Sequence, residues 1–320
     1  MRVLFILIIW ISWFTNLQSQ IGENQATTAF DTTIIALEDS LRSLGQTIIQ
    51  DSIWSQRQSA NEKFCQLWEE ALSQSMAYDY PFDSLMNVSK LSAPDGSFRL
   101  FTWQLFESDD AYVYFGYVLH KDGRVVKLDD KSSDYFTPEF ESGDKDHWYG
   151  ALYYNIVPFI GVDAKTQYLL FGYDGNSLME RRKIIDVMSW SEAGLPIFGA
   201  PVFTASADSR AHPPALNRIV LEYFAGAKVK CNYDEIQNQI LYDHLVFKKT
   251  PYGDFLIPDG SYEGYVYEEG KWKHNIKVFH EVLDAPPFPK PVLNNGRKKD
   301  VFGNPSNNKP RPARKKEKNN

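Results

Sequence analysis

The sequence predicts an α+β fold in which an N-terminal pair of helices packs against a large antiparallel β-domain. Between residues 30 and 76, apolar residues recur at steps of three and four, which is the period of amphipathic helices. From residue 97 onward, short runs rich in aromatic and β-branched residues alternate with Asp-Gly, Asn and Pro turns, as in antiparallel sheets. No run of helical length separates these strands, which argues against a parallel α/β sheet.

The chain begins with the pattern of an export signal. Arg2 precedes an apolar run from Val3 to Phe14, which is too short to span a bilayer comfortably, and the small Ser19 before Gln20 suits a cleavage site. We therefore expect residues 1–19 to be a signal peptide and the mature protein to be exported, either periplasmic or secreted. No transmembrane segment is expected after signal cleavage.

Two amphipathic helices are predicted within a helical segment over residues 20–90. The apolar positions of the first are Ile34, Leu37, Leu41, Leu44 and Ile48, and those of the second are Phe64, Leu67, Trp68, Ala71 and Leu72. Asn61, next to Glu62, is a candidate cap of the second helix or simply a surface residue. Tyr80-Pro81-Phe82 ends the helical pattern, because proline disfavours the helical conformation in the residue before it.

An antiparallel β-rich domain is predicted over residues 91–284. Its expected strands are 98–106, 111–120, 124–128, 148–157, 167–173, 183–190, 197–204, 218–224, 228–233, 239–247, 261–267 and 271–279. Pro-Asp-Gly before a strand also recurs in β-propeller blades, so a β-propeller-like fold is the alternative. The Asp-Gly dipeptides begin at positions 95, 122, 174 and 259, which is irregular, whereas propeller blades repeat at about 40 to 50 residues.

Two Pro-Asp-Gly-Ser segments, 94–97 and 258–261, are each predicted to form a tight turn that leads into an aromatic strand. Proline fixes the first dihedral angle of such a turn, and the aspartate side chain accepts a hydrogen bond from the backbone. Glycine adopts a positive φ there at no steric cost. Both segments are therefore interpreted as punctuation between strands.

The C-terminal residues 285–320 form a basic tail. They contain ten Lys or Arg residues against Asp300 and Glu317, a net charge of +8 in a chain whose total is −7, so residues 1–284 carry −15. Such a segment buries too little apolar surface to fold, and we expect it to be disordered. It is either a solvated tail or an attachment to an envelope polymer or protein partner. Nucleic acid is not an expected partner, because the folded body is acidic.

The two cysteines, Cys65 and Cys231, lie far apart in the sequence, and neither belongs to a Cys-x-x-Cys pair. Two separate free thiols are the simpler interpretation, and a single long-range disulfide is the alternative in an oxidising compartment. Neither cysteine is spaced with histidines as a metal site requires. No cofactor and no metal are expected.

The stretch from Asp144 to Tyr154 is the most distinctive candidate for chemistry, because His147 and two acids precede an aromatic run. A metal site usually needs two or three ligands at defined spacing, and the chain has no HxH or HExxH motif. An acidic loop leading into a core strand is the simpler interpretation. The acids of this loop are a calcium-binding alternative that lacks the compact spacing of a calcium loop; they are Asp129, Asp130, Asp134, Glu139, Glu141, Asp144 and Asp146.

The remaining candidate residues carry no motif, and no catalytic residue is assigned. The other histidines are scattered and are interpreted as structural; they are His120, His212, His244, His274 and His280. The acid pairs Asp109-Asp110 and Glu268-Glu269 are interpreted as hairpin loops. The sequence has neither a GxSxG nucleophile turn nor a GxxxxGK phosphate loop. The strand tyrosines are interpreted as packing residues; they are Tyr112, Tyr114, Tyr117, Tyr149, Tyr153, Tyr154 and Tyr173.

Four segments together resemble a group of exported bacterial proteins that has no established activity. They are residues 94–103, 148–154, 168–176 and 258–262, which include both Pro-Asp-Gly-Ser segments and the Trp-Tyr-Gly-Ala-Leu-Tyr-Tyr run. The resemblance extends over residues 60–280. It implies a shared exported, β-rich fold, and it implies no activity and no catalytic residue.

Taken together, these features lead us to expect a non-catalytic secreted or envelope protein with a binding or scaffolding role. The alternative is a hydrolase that acts on envelope polymer or glycan through a site assembled from loop carboxylates. A concave pocket with two facing carboxylates, or a cluster of histidine and acid, would favour the enzyme. We also expect Trp103, Trp148 and Tyr153 to lie in the core of the β-domain.

Overall fold

The computed structural model describes residues 32–108, 111–205, 213–250 and 253–275. Residues 32–50 are helical (α1), and a second helix, α2, spans Trp54–Leu72. The strands of the described part are β1 (Ser89–Ser92), β2 (Phe98–Ser108), β3 (Ala111–His120), β4 (Val125–Asp129), β5 (Gly143–Asp144), β6 (Leu152–Ile160), β7 (Thr166–Asp174), β8 (Glu180–Trp190), β9 (Pro196–Phe198), β10 (Phe203–Thr204), β11 (Ile219–Phe224), β12 (Cys231–Asp234), β13 (Gln239–Thr250), β14 (Gly253–Glu268) and β15 (Lys271–Asn275). A short 3-10 helix, Ser132–Asp134, follows β4.

These strands form three sheets. The first sheet has the order β1-β2-β3-β4. The second has the order β5-β9-β8-β7-β6, with β11 also paired to β8, and the third has the order β10-β15-β14-β13-β12. Their ladders are antiparallel except for the two-residue strand β10, which pairs in parallel with β15. Most neighbours in a sheet are therefore neighbours in the sequence.

The helices and the three sheets are stacked as four layers, with one apolar core between each two adjacent layers. Trp103 lies in the core between the helices and the first sheet. Trp148 lies in the core between the first and second sheets, and Trp272 lies in the core between the second and third sheets. These three indole rings are 0 to 1 % exposed, so each core is closed around a large aromatic side chain.

The two inner sheets of this stack are buried on both faces, and β2 illustrates the result. Phe101, Trp103 and Leu105 face the helices, whereas Phe98 and Leu100 face the second sheet. Successive side chains of a strand point to opposite faces, so a strand buried on both sides is an almost continuous apolar run. This explains why the sequence of β2 shows no alternation of apolar and polar residues.

The predicted fold class is confirmed. A helical pair packs against a large antiparallel β-domain, and the described residues form stacked sheets rather than a propeller or a closed barrel. Trp103, Trp148 and Tyr153 are all 0 % exposed, which confirms their predicted place in the core. The predicted signal peptide and basic tail lie outside the described residues and stay predictions.

Some predicted boundaries were wrong. The strand predicted at 148–157 begins at Leu152, because the backbone of Trp148 bonds instead to Asp129 and Lys131 in an isolated parallel bridge. The strand predicted at 197–204 is divided into β9 and β10, which join different sheets. Strand β1 was not predicted, because its four residues, Ser-Lys-Leu-Ser, have no apolar pattern.

The interpretation of Asn61 as a cap or surface residue was also wrong. Helix α2 begins at Trp54, after the Ile53 cap position, and Asn61 lies inside it at 3 % exposure. Its side-chain oxygen accepts a hydrogen bond from the indole nitrogen of Trp103. A buried polar side chain of this kind needs a partner, and the partner here comes from the sheet.

The two Pro-Asp-Gly-Ser segments have different outcomes. Residues 94–97 form the predicted turn between β1 and β2. Residues 258–261 do not separate two strands, because they lie within β14, opposite a break in its register with β13 between Asp243 and Leu245. Gly260 has a φ of +93°, so the glycine of the motif is needed for a bulge rather than for a hairpin turn.

Candidate functional site

A groove runs between α2 and the outer face of the first sheet. Helix α2 packs on β2, and the groove lies where the helical layer leaves part of β3 and β4 uncovered, at Phe115 and Lys127. One side of α2, from Trp54 to Glu69, forms the opposite wall. The groove has a volume of about 590 Å³, which lies within the range of small-molecule sites, about 300–1,000 Å³.

The inner wall of the groove is rigid. Phe115 lies directly opposite Trp103 across the β2–β3 ladder, and their rings are stacked at 5.5 Å. Tyr117 stacks on Trp103 as well, at 5.7 Å. The indole nitrogen of Trp103 donates to Asn61 Oδ1 at 2.8 Å, which fixes the ring to α2. Phe115 therefore presents an aromatic surface that is held in place from behind.

Arg57 anchors the end of the groove that Trp54 lines. Its buried guanidinium donates to the carbonyl oxygens of Phe106, at 3.0 Å, and Asp51, at 2.8 Å. The same group lies over the ring of Trp54, 5.8 Å from its centroid, and over that of Phe106, at 5.2 Å. Arg57 thus ties the start of α2 to the end of β2 and orients Trp54 through a cation–π contact.

The rim of the groove is acidic. Glu62, Glu69 and Glu107 line it and are exposed, and Lys127 is the basic side chain among its lining residues. The hydroxyl of Tyr117 donates to Glu69 Oε1 at 2.8 Å, which holds that carboxylate at the groove wall. An acidic rim around aromatic walls attracts cations and repels anions.

Cys65 also lines the groove, but its environment does not activate the thiol. Burial raises the pKa of Cys65 to about 11, so the thiolate that a nucleophile needs is scarce near neutral pH. Burial raises the pKa of Cys231 to about 12. Both cysteines are free, one on α2 and the other in the third sheet, so the structure agrees with the first of the two predicted alternatives.

The acidic loop that precedes β6 uses its carboxylates to hold the backbone. Asp130 accepts hydrogen bonds from the backbone nitrogens of Tyr114, Ser132 and Gly150 at 2.8 to 3.2 Å. Burial raises the pKa of Asp130 in spite of these bonds. A Cβ atom at Gly150 would lie 2.5 Å from Asp130 Oδ1, so the close approach requires glycine.

Two further carboxylates of this loop have the same role. Glu141 Oε1 accepts hydrogen bonds from the backbone nitrogens of Phe136 and Thr137. Asp144 Oδ1 accepts from the backbone nitrogens of Asp146 and His147. The ring of His147 stacks on Tyr135 at 4.8 Å. These contacts agree with the simpler interpretation, an acidic loop that caps itself.

No group of three or more His, Cys, Asp or Glu side chains within residues 32–108, 111–205, 213–250 and 253–275 is placed to hold a metal ion. The predicted calcium-binding alternative therefore has no ligand set among the described residues. Its carboxylates point at separate backbone nitrogens instead of converging on one point.

Behind this loop lies a cluster of buried charged and aromatic side chains, which we call the interior cluster: Tyr135, Tyr149, Tyr153, Asp186 and Arg218. Arg218 Nε lies 3.1 Å from Asp186 Oδ2, and both side chains are 0 % exposed. The guanidinium also donates to the carbonyl oxygen of Pro138 and lies 5.1 to 5.2 Å from the ring centroids of Tyr135 and Tyr149.

The interior cluster extends to Trp148. The hydroxyl of Tyr153 donates to Asp186 Oδ2 at 3.4 Å and accepts a hydrogen bond from the indole nitrogen of Trp148 at 3.1 Å. Burial raises the pKa of Tyr153 well above its usual range, so the hydroxyl keeps its proton. The five members are 0 to 9 % exposed, so the cluster is part of the packed interior and joins the second sheet to the loop.

A second cluster lies in the third sheet, and we call it the edge cluster: Tyr242, His244, Asp259, Glu263 and His274. His244 Nδ1 lies 2.9 Å from Asp259 Oδ2, and His244 Nε2 lies 3.4 Å from Glu263 Oε1. His274 Nε2 lies 3.1 Å from Glu263 Oε2, which also accepts the hydroxyl of Tyr242 at 3.2 Å. The side chains of the four ionisable partners are 18 to 35 % exposed, so water reaches them.

The sequence did not reveal the edge cluster, because its members are separated by up to about 30 residues and meet only through the register of β13, β14 and β15. Tyr242 pairs with Glu263, and Tyr265, two residues further along β14, pairs with His274. His244 lies at the break in register, where a bulge redirects its side chain toward Asp259. His244 and His274, scattered in the sequence, therefore lie in one cluster, and their interpretation as structural residues stays a prediction.

The other predicted residues are placed as follows. Tyr114, Tyr117, Tyr149 and Tyr153 are buried, and the hydroxyl of Tyr154 donates to the carbonyl oxygen of Cys231 at 2.5 Å, which agrees with packing roles. His120 is 9 % exposed beside Trp190, and burial lowers its pKa. Glu268 pairs with Lys273, and Glu269 is in the β14–β15 turn at a φ of +52°. Asp109, Asp110, His212 and His280 lie outside the described residues.

Comparisons with known proteins assign the chain to no group: no family model matches it, and no curated protein and no solved structure matches it significantly. The predicted resemblance to exported bacterial proteins stays a prediction. In the part of the chain that the structure describes, neither helix is both long and apolar enough to cross a membrane.

Proposed function

We propose that this protein is a non-catalytic exported protein with a binding role, and that its ligand occupies the groove between α2 and the first sheet. The observation that carries the proposal is the groove itself, a space of about 590 Å³ with aromatic walls and an acidic rim. Residues that pack a core have no such space between them, because protein interiors are filled to the density of organic crystals.

The chemistry of the groove favours a ligand that joins a flat apolar part to a cationic group. Trp54 and Phe115 offer aromatic surfaces, and Phe115 is held rigid by Trp103. Glu62 and Glu107 lie at the rim, where an ammonium or guanidinium group of the ligand reaches them. An envelope component that carries an aromatic ring next to an amine or guanidinium group has both features.

The alternative, a hydrolase, has a cluster of histidine and acid in the edge cluster, but no member of that cluster lines the groove. The loop carboxylates expected as its site give it less support. The carboxylates of Asp130, Glu141 and Asp144 accept backbone hydrogen bonds of their own loop, so they are not presented to a substrate. The thiol of Cys65, with its raised pKa of about 11, offers no nucleophile in the groove. Attachment through the basic tail stays a prediction, since the tail lies outside the described residues.

The test uses three probes that share an indole ring and differ in charge: tryptamine, tryptophol and indole-3-acetate. Binding is followed by heteronuclear NMR of the backbone amides of α2 and β3. We expect tryptamine to perturb residues around Trp54 and Phe115 at concentrations where indole-3-acetate does not, with tryptophol in between. Equal perturbation by all three probes would contradict the acidic rim as a determinant, and no perturbation by any would contradict the groove as a binding site.

Two variants on the same helix separate the groove from general surface charge. Glu62→Gln removes a groove carboxylate, whereas Glu70→Gln removes an exposed carboxylate that does not line the groove. An exposed ion pair contributes about 0.2–1 kcal/mol, so Glu62→Gln is expected to weaken tryptamine binding by a factor of about 1.4 to 5. Glu70→Gln is expected to leave it unchanged. Equal weakening in both variants would assign the effect to the net charge of the protein.

A further inference from the structure

The protonation state of His244 follows from the positions of its two ring nitrogens. Both face a carboxylate oxygen, Nδ1 at 2.9 Å from Asp259 and Nε2 at 3.4 Å from Glu263. A neutral imidazole carries one N–H, so its other nitrogen would direct a lone pair at a carboxylate. The imidazolium form has an N–H on each nitrogen. The observed arrangement is therefore complete when His244 carries a proton on both nitrogens.

The two carboxylates that face His244 have to be ionised in order to accept these N–H groups. Glu263 faces the rings of His244 and His274 and accepts the hydroxyl of Tyr242, which suits an ionised carboxylate with its several lone pairs. The hydroxyl and backbone nitrogen of Ser261, followed by His244, lower the pKa of Asp259 to about 2. Asp259 is consequently negative at every pH at which the protein is expected to work.

The titratable groups around His244 come from four strands. Tyr242 lies on the same strand, β13, and Asp259, Glu263 and Tyr265 lie on β14. His274 lies on β15, and Cys231, on β12, is opposite Tyr242 in the register of β12 and β13. Burial raises the pKa of Tyr242 and of Cys231, so these two groups stay neutral while a histidine titrates.

The edge cluster is at the point where the β13–β14 hairpin divides into two parts. The inner part, from Gln239 to Asp243 and its partners, belongs to the core of the third sheet. Beyond the bulge, residues 245–250 pair with 253–258, and Phe247 in this outer part is 78 % exposed. The ring of Phe255 packs on Phe224 of β11 at 5.0 Å. None of the described residues of the outer part, 245–250 and 253–258, is fully buried.

We propose that the edge cluster is a proton-dependent clamp, in which protonated His244 joins Asp259 to Glu263 across the bulge and holds the outer part of the β13–β14 hairpin against the body. Loss of that proton leaves either Asp259 Oδ2 or Glu263 Oε1 without its histidine donor and loosens the outer hairpin. The clamp is closed while both ring nitrogens of His244 carry a proton, and it opens when one of them loses it.

The experiment measures amide hydrogen exchange of residues 245–250 and 253–258 at pH 5 and pH 8, with each rate divided by its intrinsic chemical rate. We expect the protection factors of these residues to fall about two- to fivefold from pH 5 to pH 8, the ratio that corresponds to one partly exposed ion pair. Residues of β7 in the second sheet, which are buried away from the cluster, are expected to keep their protection over the same range.

Three variants decide the assignment. His244→Gln keeps a polar side chain that takes up no proton, and it is expected to show low protection of the outer hairpin at both pH values. Asp259→Asn keeps an oxygen for Ser261 and removes the charge that faces His244, so it also tests the clamp if His244→Gln folds poorly. His147→Gln changes a histidine outside the cluster and is the control, with wild-type behaviour expected.

Two results would overturn the clamp. One is a wild-type outer hairpin whose protection factors are the same at pH 5 and pH 8. The other is a pH-dependent loss of protection that persists unchanged in both His244→Gln and Asp259→Asn, since another group would then be responsible. The groove is on a different layer, so neither result bears on the proposed ligand site.

Discussion

The interior cluster and the edge cluster both pair a cation with a carboxylate, and they differ in the cation and in the access of water. Arg218 and Asp186 are 0 % exposed at 3.1 Å, whereas the side chains of His244 and Asp259 are 35 % and 34 % exposed at 2.9 Å. Arginine keeps its charge at any ordinary pH, and histidine does not. Ion pairs of similar length therefore have different roles. The buried pair keeps its charges at any ordinary pH, whereas the pair at the edge depends on the pH.

The burial of each cluster determines how much stability is lost when one member of its ion pair is removed. Removing one member of a buried pair leaves the other charge in a medium that solvates it poorly, which costs about 3–5 kcal/mol. Removing one member of an exposed pair leaves the other in water, at a cost of about 0–1 kcal/mol. Substitutions in the two clusters should therefore differ in size and in their dependence on pH.

The largest effect is expected for Trp148→Ala, which removes the indole that donates to Tyr153 and packs beside Phe198. A fully buried tryptophan replaced by alanine loses its apolar contacts and leaves a cavity, so the free energy of unfolding should fall by about 4–5 kcal/mol. Denaturant unfolding measures it. Trp54→Ala, at the half-buried groove wall, is the control and should cost far less. A loss below about 1 kcal/mol for Trp148→Ala would mean that the ring is exposed in solution.

Arg218→Met comes next, with an expected loss of about 3–4 kcal/mol, because methionine fills much of the space and leaves Asp186 as an unpaired buried charge. Combining it with Asp186→Asn should restore part of that loss, since the uncompensated charge is then gone. The measurement is a double-mutant cycle by denaturant unfolding. Additive losses in the double variant would show that the two charges do not depend on each other.

The smallest effect is expected at Asp259, and it has a definite direction with pH. Bonds from Ser261 and His244 lower the pKa of Asp259 to about 2, from an ordinary value of 3.8. Its contribution to stability is therefore present above the ordinary value and is lost as the pH falls toward 2. Asp259→Asn should lack this acid-dependent part, so its melting temperature should fall less than that of the wild type between pH 4 and pH 2.

A matched substitution makes this difference measurable. Asp163→Asn changes an exposed aspartate of the β6–β7 turn, whose carboxylate accepts a bond from the backbone nitrogen of Lys165. It provides the reference for the effect of removing one surface carboxylate. A steeper acid loss in Asp259→Asn than in the wild type would contradict the sign derived above, and so would identical slopes in all three proteins.

Much of the fold could be predicted because apolar residues recur in the sequence with the period of the helix or strand that forms there. Strand β3 was predicted with its observed ends, Ala111 and His120, since its run of aromatic and β-branched residues is bounded by Asp-Asp and Asp-Gly. The helices followed from their three- and four-residue spacing. The four-layer stack did not follow from these patterns. A continuous apolar run indicates that both faces of a strand are covered, but it does not indicate which layer covers each face.

The two Pro-Asp-Gly-Ser segments show where local reasoning ends. In each, the serine nitrogen donates to the aspartate Oδ1, Ser97 to Asp95 at 3.0 Å and Ser261 to Asp259 at 2.8 Å, so the sequence predicts this bond correctly. The second oxygen of Asp95 accepts the hydroxyl of Tyr168, and that of Asp259 faces His244. These partners are set by sheet register, which no local pattern contains.

The candidate sites were hidden for the same reason. The groove exists because α2 packs on β2 and leaves the outer face near Phe115 uncovered, which is a property of packing rather than of any motif. The stripe from Trp54 to Glu69 is visible on a helical wheel only once the start of α2 is known, and the candidate cap, Asn61, lies too far along the chain. The edge cluster needed three strands in register before its histidines met one carboxylate.

The layers of the stack follow the order of the chain: the helices first, then the three sheets in turn, with β10 and β11 exchanged. A polypeptide that emerges from its N-terminus onward would therefore form each layer together with the surface on which the next one packs. Helix and hairpin contacts between sequence neighbours close quickly, so little waits for distant partners. At every stage, however, the newest sheet has one apolar face in water. An intermediate with such an exposed face is prone to aggregate or to bind a chaperone. The third sheet forms last and covers the apolar face of the second sheet.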